Sequence, residues 1–595
     1  MRVDKADVAD MLRELAELTI VEEGDPQSFR VRAYESARHA VEAYGGELVD
    51  LSAAALQKVP GIGKSTAAKI RELVEQGRVA KLDELREKHP PGVLALLRLP
   101  GVGPKAVARL RAELGVHGPD DLRAAIARHA LRDLKGFGPK SEEKLARSLE
   151  RLGGEGERRT PISVALPLAA RICARLSAVP GVERAAFCGS LRRFSETVGD
   201  LDIVAATEDG APVMDEALSM PIVDRVLSHG DTRASFVTRA GLQVDLRVVA
   251  PHQFGAAMLY FTGSKGHNIK LRQRAIDRGW TLNEYALADA ATGDVVASRS
   301  EADIYAALGL SFIHPAQRED AGEIELAEKG NLPRVVSPES LIGDFHVHTS
   351  LSGDARSSLE EIVSAARARG YRVLAITDHA EGLPANGVGA DALRAQRDQI
   401  RALQRELGDG MTLLWGVELN IGPHGELDYD AELRSELDFG LASIHDHFDL
   451  DEARQTARVV KAMEDPAVKM IGHLSARMIG ARPPVPLDVP AVLAAAERTG
   501  TALEINGGLP RLDVSVDVLR RARDRGVRFV LTSDAHKDVE LGRIEYAALN
   551  ATRAWVDPDR IVNTWERSRL EAWGPFEVRA LSRCPPGGSS ARGGG

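Results

Sequence analysis

The spacing of apolar residues along the chain changes period more than once. MRVDKADVADMLRELAELTI sets its apolar positions at helical spacing among charges, which predicts an amphipathic helix rather than a signal peptide. Short apolar runs interrupted by carboxylates, DLDIV (200–204) and GLQVDLRVV (241–249), read as strands. From about 341 onward, strand-like and helix-like segments alternate with short connections, the pattern of a parallel βα repeat or barrel. Its seven strand candidates end in DFHVHT, VLAITDHA, LLWGVELN, LASIHDHF, VKMIGHLS, ALEINGG and FVLTSDAH, and each finishes in polar residues of ligand type. Between these regions AEKGNLPRVVSPES (327–340) reads as a linker, and the low-complexity ALSRCPPGGSSARGGG after about 576 reads as a disordered tail.

Composition narrows the classes. A chain of 595 residues is too long for one core and implies several domains. It contains no apolar run long enough for a membrane span. Cys173, Cys188 and Cys584 are isolated, with no CxxC spacing, which argues against a disulfide framework and a thiolate zinc site and fits a reducing cytoplasm. The net charge of −10 argues against nucleic acid, yet residues 51–110 hold 11 Lys and Arg against 5 Asp and Glu. Such a basic island suits a phosphate-binding module, although a solvated helix face explains the charge equally well.

Repetition adds what charge cannot. VPGIGKSTAAKI (59–70), LPGVGPKAVARL (99–110) and LKGFGPKSEEKL (134–145) share two glycines and a lysine ahead of a helix. The glycine pairs Gly61 and Gly63, Gly101 and Gly103, and Gly136 and Gly138 permit a tight turn with close backbone approach. Each following helix start offers unpaired N–H groups to an anion beside Lys64, Lys105 or Lys140. Three copies point to DNA backbone binding without regard to sequence, and they resemble the helix-hairpin-helix motif of DNA repair proteins. The third copy fits least well, with Lys135 in place of proline and acidic Glu142 and Glu143.

In CGSLRRFSETVGDLDIV (188–204), a strand puts Asp200 and Asp202 on one side, where like charges repel unless cations neutralise them. Asp245, in the second strand-like run, is a third candidate carboxylate. Three carboxylates around two metal ions make an in-line phosphoryl-transfer site. Gly189 and Ser190 then supply a turn with phosphate donors, and Arg193 a charged clamp.

With YFTGSKGHNIKLR (260–272), the order of motifs through about residue 320 resembles the X-family DNA polymerases, the DNA polymerase β-like repair enzymes. The resemblance implies that Ser190, Arg193, Gly263 and Arg159 grip the triphosphate, with Lys265 assisting. It implies that Tyr260 and Phe261 pack under the incoming sugar, that Asn268 reads the minor groove of its base, and that Arg272 reads that of the template. It also implies a lyase lysine at Lys69, supported by Tyr34; Ser65 stands where the animal enzymes have a second lysine, leaving less positive charge to depress the Lys69 pKa.

In a barrel the C-terminal strand ends form one functional face. That face would gather His346, His348, His379, Glu418, His445, His473, Asp534 and His536, with Asp354 from the first loop, and would leave His447 and Glu504 as supporting or surface groups. Imidazole and carboxylate without thiolate suit manganese, zinc or iron. This half resembles the polymerase and histidinol phosphatase (PHP) domain, and the resemblance implies a trinuclear metal set of those nine residues.

The sequence thus predicts a multidomain protein. A helical helix-hairpin-helix region (1–85, lyase-like, and 86–155) is followed by an α+β nucleotidyltransferase palm (156–255) and a thumb-like nucleotide- and template-binding subdomain (256–326). A linker (327–340), an α/β seven-stranded TIM-like PHP barrel (341–575) and a tail (576–595) complete it. The implied activity is gap-filling DNA polymerisation with a metal-dependent 3′–5′ exonuclease, extending to abasic-site endonuclease or 3′-phosphatase action. Its cofactors are Mg2+ or Mn2+ in the palm and up to three Mn2+, Zn2+ or Fe ions in the barrel. Its partners are gapped or primer-template DNA and deoxynucleoside triphosphates, with no membrane, for a cytoplasmic monomer. The rivals are a DNA-binding scaffold with weak or template-independent nucleotidyl transfer and a small-molecule phosphatase.

Overall fold

The computed structural model describes residues 3–574 apart from 4, 24, 26–27, 45–47, 90–92, 94–95, 97–103, 133–136, 139–141, 143–144, 147–148, 150–158 and 524. The tail expected at 576–595 lies outside the described residues. The chain divides into two compact units, one built from 1–159, 178–180 and 209–247, the other from 160–177, 181–208 and 248–595. Twelve strands matter below: β1 (Arg184–Phe187), β2 (Asp200–Ala206), β3 (Val223–His229), β4 (Arg233–Thr238), β5 (Gln243–Val249), β6 (Gly343–Val347), β7 (Val373–Ile376), β8 (Thr412–Asn420), β9 (Phe439–Ser443), β10 (Val468–Ile471), β11 (Ala502–Asn506) and β12 (Phe529–Thr532).

In the first unit, helices Lys5–Glu23, Phe29–Ala43, Lys64–Gln76 and Ala80–Lys88 bury Leu12, Leu15, Val41, Leu48, Ile70 and Leu85 in one core. The first glycine turn closes on this bundle. Gly61 has φ 95°, and a Cβ there would lie 3.0 Å from the Ser36 carbonyl oxygen, so conformation and crowding both demand glycine. Gly63 then caps the helix that begins at Lys64. A second apolar cluster of Val107, Leu110, Val116 and Leu122 gathers helices Pro104–Leu114 and Pro119–Ala127. Strands β3, β4 and β5 form an antiparallel meander in which Asp245 stands opposite Ser235.

In the second unit, β1 pairs antiparallel with β2, Phe187 opposite Ile203. Helices Phe254–Thr262 and Lys265–Ile276, a three-stranded sheet and helix Glu301–Ala307 share a core of Leu271, Ile304, Tyr305, Leu308 and Ile313. Buried charge is paired there. Arg318, fully buried, meets Glu301 at 2.5 Å, and Glu301 also accepts two bonds from Arg192, at 2.9 and 2.6 Å. An unpaired charge at that depth would cost several kcal/mol, on the order of 3–5.

Strands β6 to β12 run parallel in sequential order, as the alternating pattern predicts. The first and last strands approach through a Val347–Ala535 bridge, with the His348 N–H donating to the Ala535 carbonyl at 2.8 Å, which nearly closes the barrel. One apolar cluster joins the strands to the surrounding helices, and a second, including Phe345, Phe439 and Met470, is sealed by Trp565 and Leu570.

The segment 327–340, expected as a linker, is fastened down. Val336 is buried in the barrel's helical core and its N–H donates to Thr552 Oγ1 at 3.2 Å, while Arg334 pairs with Asp557 at 2.5 Å and Asp559 at 2.9 Å. Turn formers and prolines identified a connection but carried no information about the valine that anchors it. Among the described residues no helix is long and apolar enough to cross a membrane.

Candidate active sites

The ends of the barrel strands carry the expected ligands to one place. Glu418, 1 % exposed, lies among five imidazoles: His379 Nδ1 at 2.8 Å, His473 Nε2 at 2.9 Å, His445 Nε2 at 3.3 Å, His346 Nε2 at 3.5 Å and His348 Nε2 at 3.6 Å. Asp534 Oδ1 faces His348 at 3.4 Å and His346 at 3.6 Å, and Asp354 Oδ2 faces His379 at 3.2 Å and His536 at 3.6 Å. Among the described residues, three sets have the spacing to hold an ion: His348, His379 and His536; His346, His348 and Asp534; His379, Glu418 and His445. Asp354 and His473 border these sets through His379 and Glu418.

Whether the residues fit metal ions is decided by their lone pairs. His346 Nε2, His348 Nδ1 and Nε2, His379 Nδ1, His473 Nδ1 and both Glu418 oxygens are buried without a hydrogen bond of acceptable geometry. Several face one another at ion-pair distance all the same. Atoms that converge without bonding to each other are arranged as ligands around a shared centre; left uncompensated, each would cost about 1–3 kcal/mol.

Titration behaviour reports the same crowding. Burial works against charge throughout, but the Glu504, Glu418 and Asp534 carboxylates hold His346 well above the usual histidine range, and burial offset by Glu418 and Asp354 leaves His379 at about 10. His348 goes the other way, depressed by burial and by the neighbouring His536 and His379. Glu418 and Asp534 stay far below ordinary carboxylate values, because imidazoles outweigh their burial.

Behind the ring stands a second layer that fixes it. Glu504, fully buried, takes His346 Nδ1 at 2.6 Å and Thr532 Oγ1 at 2.6 Å, and also accepts from the His473 N–H. Asn420 Oδ1 meets His445 Nδ1 at 2.6 Å. Each partner occupies one ring nitrogen and aims the other inward. Asp344, on the same strand as His346, is buried with its pKa pushed up to about 7 and accepts from the Ser533 and His346 N–H groups. The expectation for Glu504 is thereby resolved in favour of a supporting group, whereas His447 is 48 % exposed and stands outside the ring.

Sequence reasoning missed Arg511. Its Nε lies 3.6 Å from Asp534 Oδ2, and its Nη1 is buried without a partner. It sits in the loop after β11, and the rule that strand-end loops carry the site could have found it.

The palm residues are arranged differently. Asp200 is exposed and Asp202 half-buried at the start of β2, where Gly189 (φ 63°) leaves no room for a Cβ against the Asp202 carboxylate. Ser190 lies in the short helix Gly189–Arg192, and Arg193 donates to the Thr262 carbonyl at 2.5 Å and meets Glu319 at 3.3 Å, beside Gly263. Tyr260, Asn268 and Arg272 line one small pocket: Asn268 donates to the Tyr260 carbonyl at 2.7 Å, and the Arg272 guanidinium lies 5.0 Å from the Tyr260 ring centre. Phe261 meets the Tyr260 ring edge-on at 5.0 Å, and Lys265 is exposed at the start of its helix. In the first unit, Asp245 is half-buried and accepts from Gln243 at 2.8 Å, and Arg159 is exposed.

Lys64 is exposed at its helix start, and Gly138 is half-buried. Gly101, Gly103, Gly136, Lys140 and the side chain of Lys105 lie outside the described residues. Glu142, which weakened the third glycine repeat as a phosphate binder, is turned inward and bonded to Arg132 and His129, each at 2.8 Å. Lys69 Nζ donates to Ser65 Oγ at 2.9 Å and stands 5.8 Å from the Tyr34 ring centre. Its pKa is lowered by burial first and by Lys81 as well, so the depression expected to be lacking comes from a different source.

Comparison with known proteins matches four stretches of the chain to known families. Residues 3–79 match the helix-hairpin-helix domain, 93–151 the SAM-like helix-hairpin-helix tandem, 257–319 the DNA polymerase beta thumb and 344–487 the PHP domain. The DNA polymerase/3′-5′ exonuclease PolX of Bacillus subtilis (strain 168) is 35% identical over 572 residues, covering 96% of this chain and 99% of the relative. The chain belongs to the bacterial X-family DNA polymerases with a C-terminal PHP domain. The barrel of this family member also resembles stand-alone proteins. A probable phosphatase of Thermoanaerobacter sp. (strain X514) is 31% identical over 234 residues, 38% of this chain and 91% of the relative, and one of Shewanella sediminis (strain HAW-EB3) is 31% identical over 230 residues, 37% and 88% respectively.

Proposed function

We propose that this chain is a template-directed DNA polymerase that fills short gaps in repair and trims 3′ ends with a metal-dependent exonuclease in its barrel. One observation carries the reading: the buried, partnerless nitrogen and carboxylate atoms around Glu418, in the same chain as the Gly-Ser turn and the Asp200–Asp202 strand. A scaffold with inert sites would have no use for orphaned lone pairs at that depth.

In the barrel His346, His348, Asp354, His379, Glu418, His445, His473, Asp534 and His536 hold up to three manganese, zinc or iron ions. When bound, the ions acidify water and offset charge building on the phosphate. The chain's own groups do the rest. Glu504 and Asn420 orient His346 and His445. Arg511, with an unused buried N–H, receives a phosphate oxygen of the DNA end. The same pocket admits an abasic-site phosphodiester or a 3′-phosphate.

In the palm Asp200, Asp202 and Asp245 hold two magnesium or manganese ions. Gly189, Ser190, Arg193, Arg159, Gly263 and Lys265 bind the triphosphate, Tyr260 and Phe261 carry the sugar, and Asn268 and Arg272 read the minor groove. Lys64, Lys105 and Lys140, each with its glycine pair, grip the DNA backbone. Lys69, with its ammonium destabilised by burial beside Tyr34, forms a Schiff base with a 5′-deoxyribose phosphate. The protein acts in the cytoplasm, on nucleoid DNA, as a monomer.

The test is incubation with a labelled one-nucleotide-gapped duplex, with and without nucleotides and manganese. Extension by one nucleotide, together with shortening from the 3′ end when nucleotides are withheld, is expected. A chain that binds the duplex yet does neither is a scaffold.

A further inference from the structure

The turn that carries the polymerase arginine also touches the barrel, through Arg477. This side chain is nearly buried and uses its whole guanidinium. Nη1 and Nη2 meet the two Glu196 oxygens at 3.0 and 2.8 Å, Nε donates to the Arg511 carbonyl at 2.9 Å, and Nη2 also donates to the Leu512 carbonyl. Glu196 lies three residues beyond Arg193 on the Gly-Ser turn, and Arg477 four residues beyond His473. The fork therefore ties a polymerase segment to the two loops that leave β10 and β11.

Those two loops are stapled to each other and to the metal ring. Asp513 Oδ2 accepts from the Ser475 N–H and hydroxyl, each at 2.9 Å. The Asp513 carbonyl accepts from the Asn506 N–H at 2.6 Å, and the Asn506 side chain donates to Asp534 at 3.1 Å. Arg511, one residue before Leu512, places its own guanidinium beside Asp534. A second contact flanks the first: the Phe194 ring stacks on Tyr546 at 5.9 Å, and Glu319, which meets Arg193, is shared with Arg553 at 3.2 Å.

We propose that Arg477 is a positioning residue for the hydrolytic reaction, held by Glu196 of the polymerase turn and in turn holding Arg511 against Asp534 where the DNA phosphate enters. The inference rests on the hydrolytic reading of the barrel given above. A bidentate carboxylate fixes a guanidinium in plane and direction, which a single carbonyl contact cannot do. Loss of Glu196 leaves Arg477 bonded to the Arg511 and Leu512 carbonyls but free to pivot, and Arg511 pivots with it. The polymerase turn thereby sets the geometry of the exonuclease site, and a triphosphate drawing Arg193 away from Glu319 strains the same contact surface.

The full-length protein tests this with Glu196→Gln, Arg477→Lys and Arg511→Gln, singly and as the Glu196→Gln/Arg511→Gln pair. Manganese-dependent shortening of a single-stranded 3′-labelled oligonucleotide is followed as kcat and KM, beside metal content and Tm. Glu196→Gln and Arg477→Lys are each expected to lower kcat/KM about tenfold with metal content unchanged, and the pair to be no worse than Arg511→Gln alone, since both remove one unit. Unchanged exonuclease in Glu196→Gln, or fully additive losses in the pair, overturns the proposal while leaving the hydrolytic reading intact. Absence of manganese-dependent shortening by the unaltered protein, or its survival in His346→Ala, overturns that reading, and this proposal falls with it.

Discussion

Ligand-type residues stand on strands in the barrel and in the polymerase half alike, yet those of the barrel are buried and the palm aspartates are more exposed. In the barrel, His346, His348, Glu418 and His473 are buried to within 1 % of full exclusion, and Glu504 and Asn420 fix the rings from behind. In the palm, Asp200 is exposed and Asp202 and Asp245 are half-buried. The difference follows from what each reaction brings with it. A hydrolytic centre must hold its ions between turnovers, and crowded, pre-aimed imidazoles do that at the cost of lone pairs left without a hydrogen bond among the described residues. A polymerase receives one ion with each triphosphate, so its carboxylates must remain reachable.

The largest effects should come from cutting either centre alone. Asp202→Ala is expected to abolish nucleotide addition to a gapped duplex while 3′ shortening continues, because it removes palm chemistry and leaves the barrel ring untouched. His346→Ala and, separately, Asp534→Ala are expected to abolish manganese-stimulated shortening and to lower metal content, with gap filling retained. If the nuclease vanished with Asp202→Ala and survived His346→Ala, it would belong to the palm and the comparison would be inverted.

How much of this contrast could be read from the chain depends on what each residue touches. Eight of the nine residues expected as barrel ligands could be picked out because strand ends converge by topology: six of the seven strand segments carry them, and Asp354 comes from the first loop. Glu504 was left undecided for the opposite reason: in ALEINGG its burial depends on which strands flank β11, and a single strand does not reveal that. Arg477 and Glu196 were invisible, being 281 residues apart and each unremarkable in its own segment. The connection at 327–340 was recognisable as a connection and its fastening was not, since the Val336 contact that holds it lies on the barrel's helices. Asp200 and Asp202 stand out in the sequence by their alternation, and the exposure of Asp200 does not, because tertiary neighbours set it.

An intermediate effect tests whether the finish of the barrel centre matters. Glu504→Gln keeps the size of the side chain and removes the charge that orients His346. Losses of metal affinity or exonuclease activity of about 10- to 100-fold are typical when such a supporting partner is removed. Gap filling should be unchanged. Exonuclease equal to that of the parent, with equal metal content, would mean that the ring is held by its own crowding and that the layer behind it is only packing.

The smallest effect belongs to the helix-hairpin-helix region. Lys64 stands exposed at a helix start behind the Gly61–Gly63 turn, the place expected to receive a DNA phosphate. Lys105 occupies the equivalent place in the second repeat by sequence. Their joint replacement by alanine removes two cations from the DNA backbone and touches neither set of metal ligands. Binding of a gapped duplex should weaken on every sequence alike, and the slope of log affinity against log salt should fall by roughly one to two units, about 0.9 for each lost phosphate contact. Gap filling and 3′ shortening of the same long duplex should decline by the same modest factor at low DNA concentration and recover at saturation. A loss confined to gap filling would assign these hairpins to the palm alone, and an unchanged salt slope would mean that they do not face DNA.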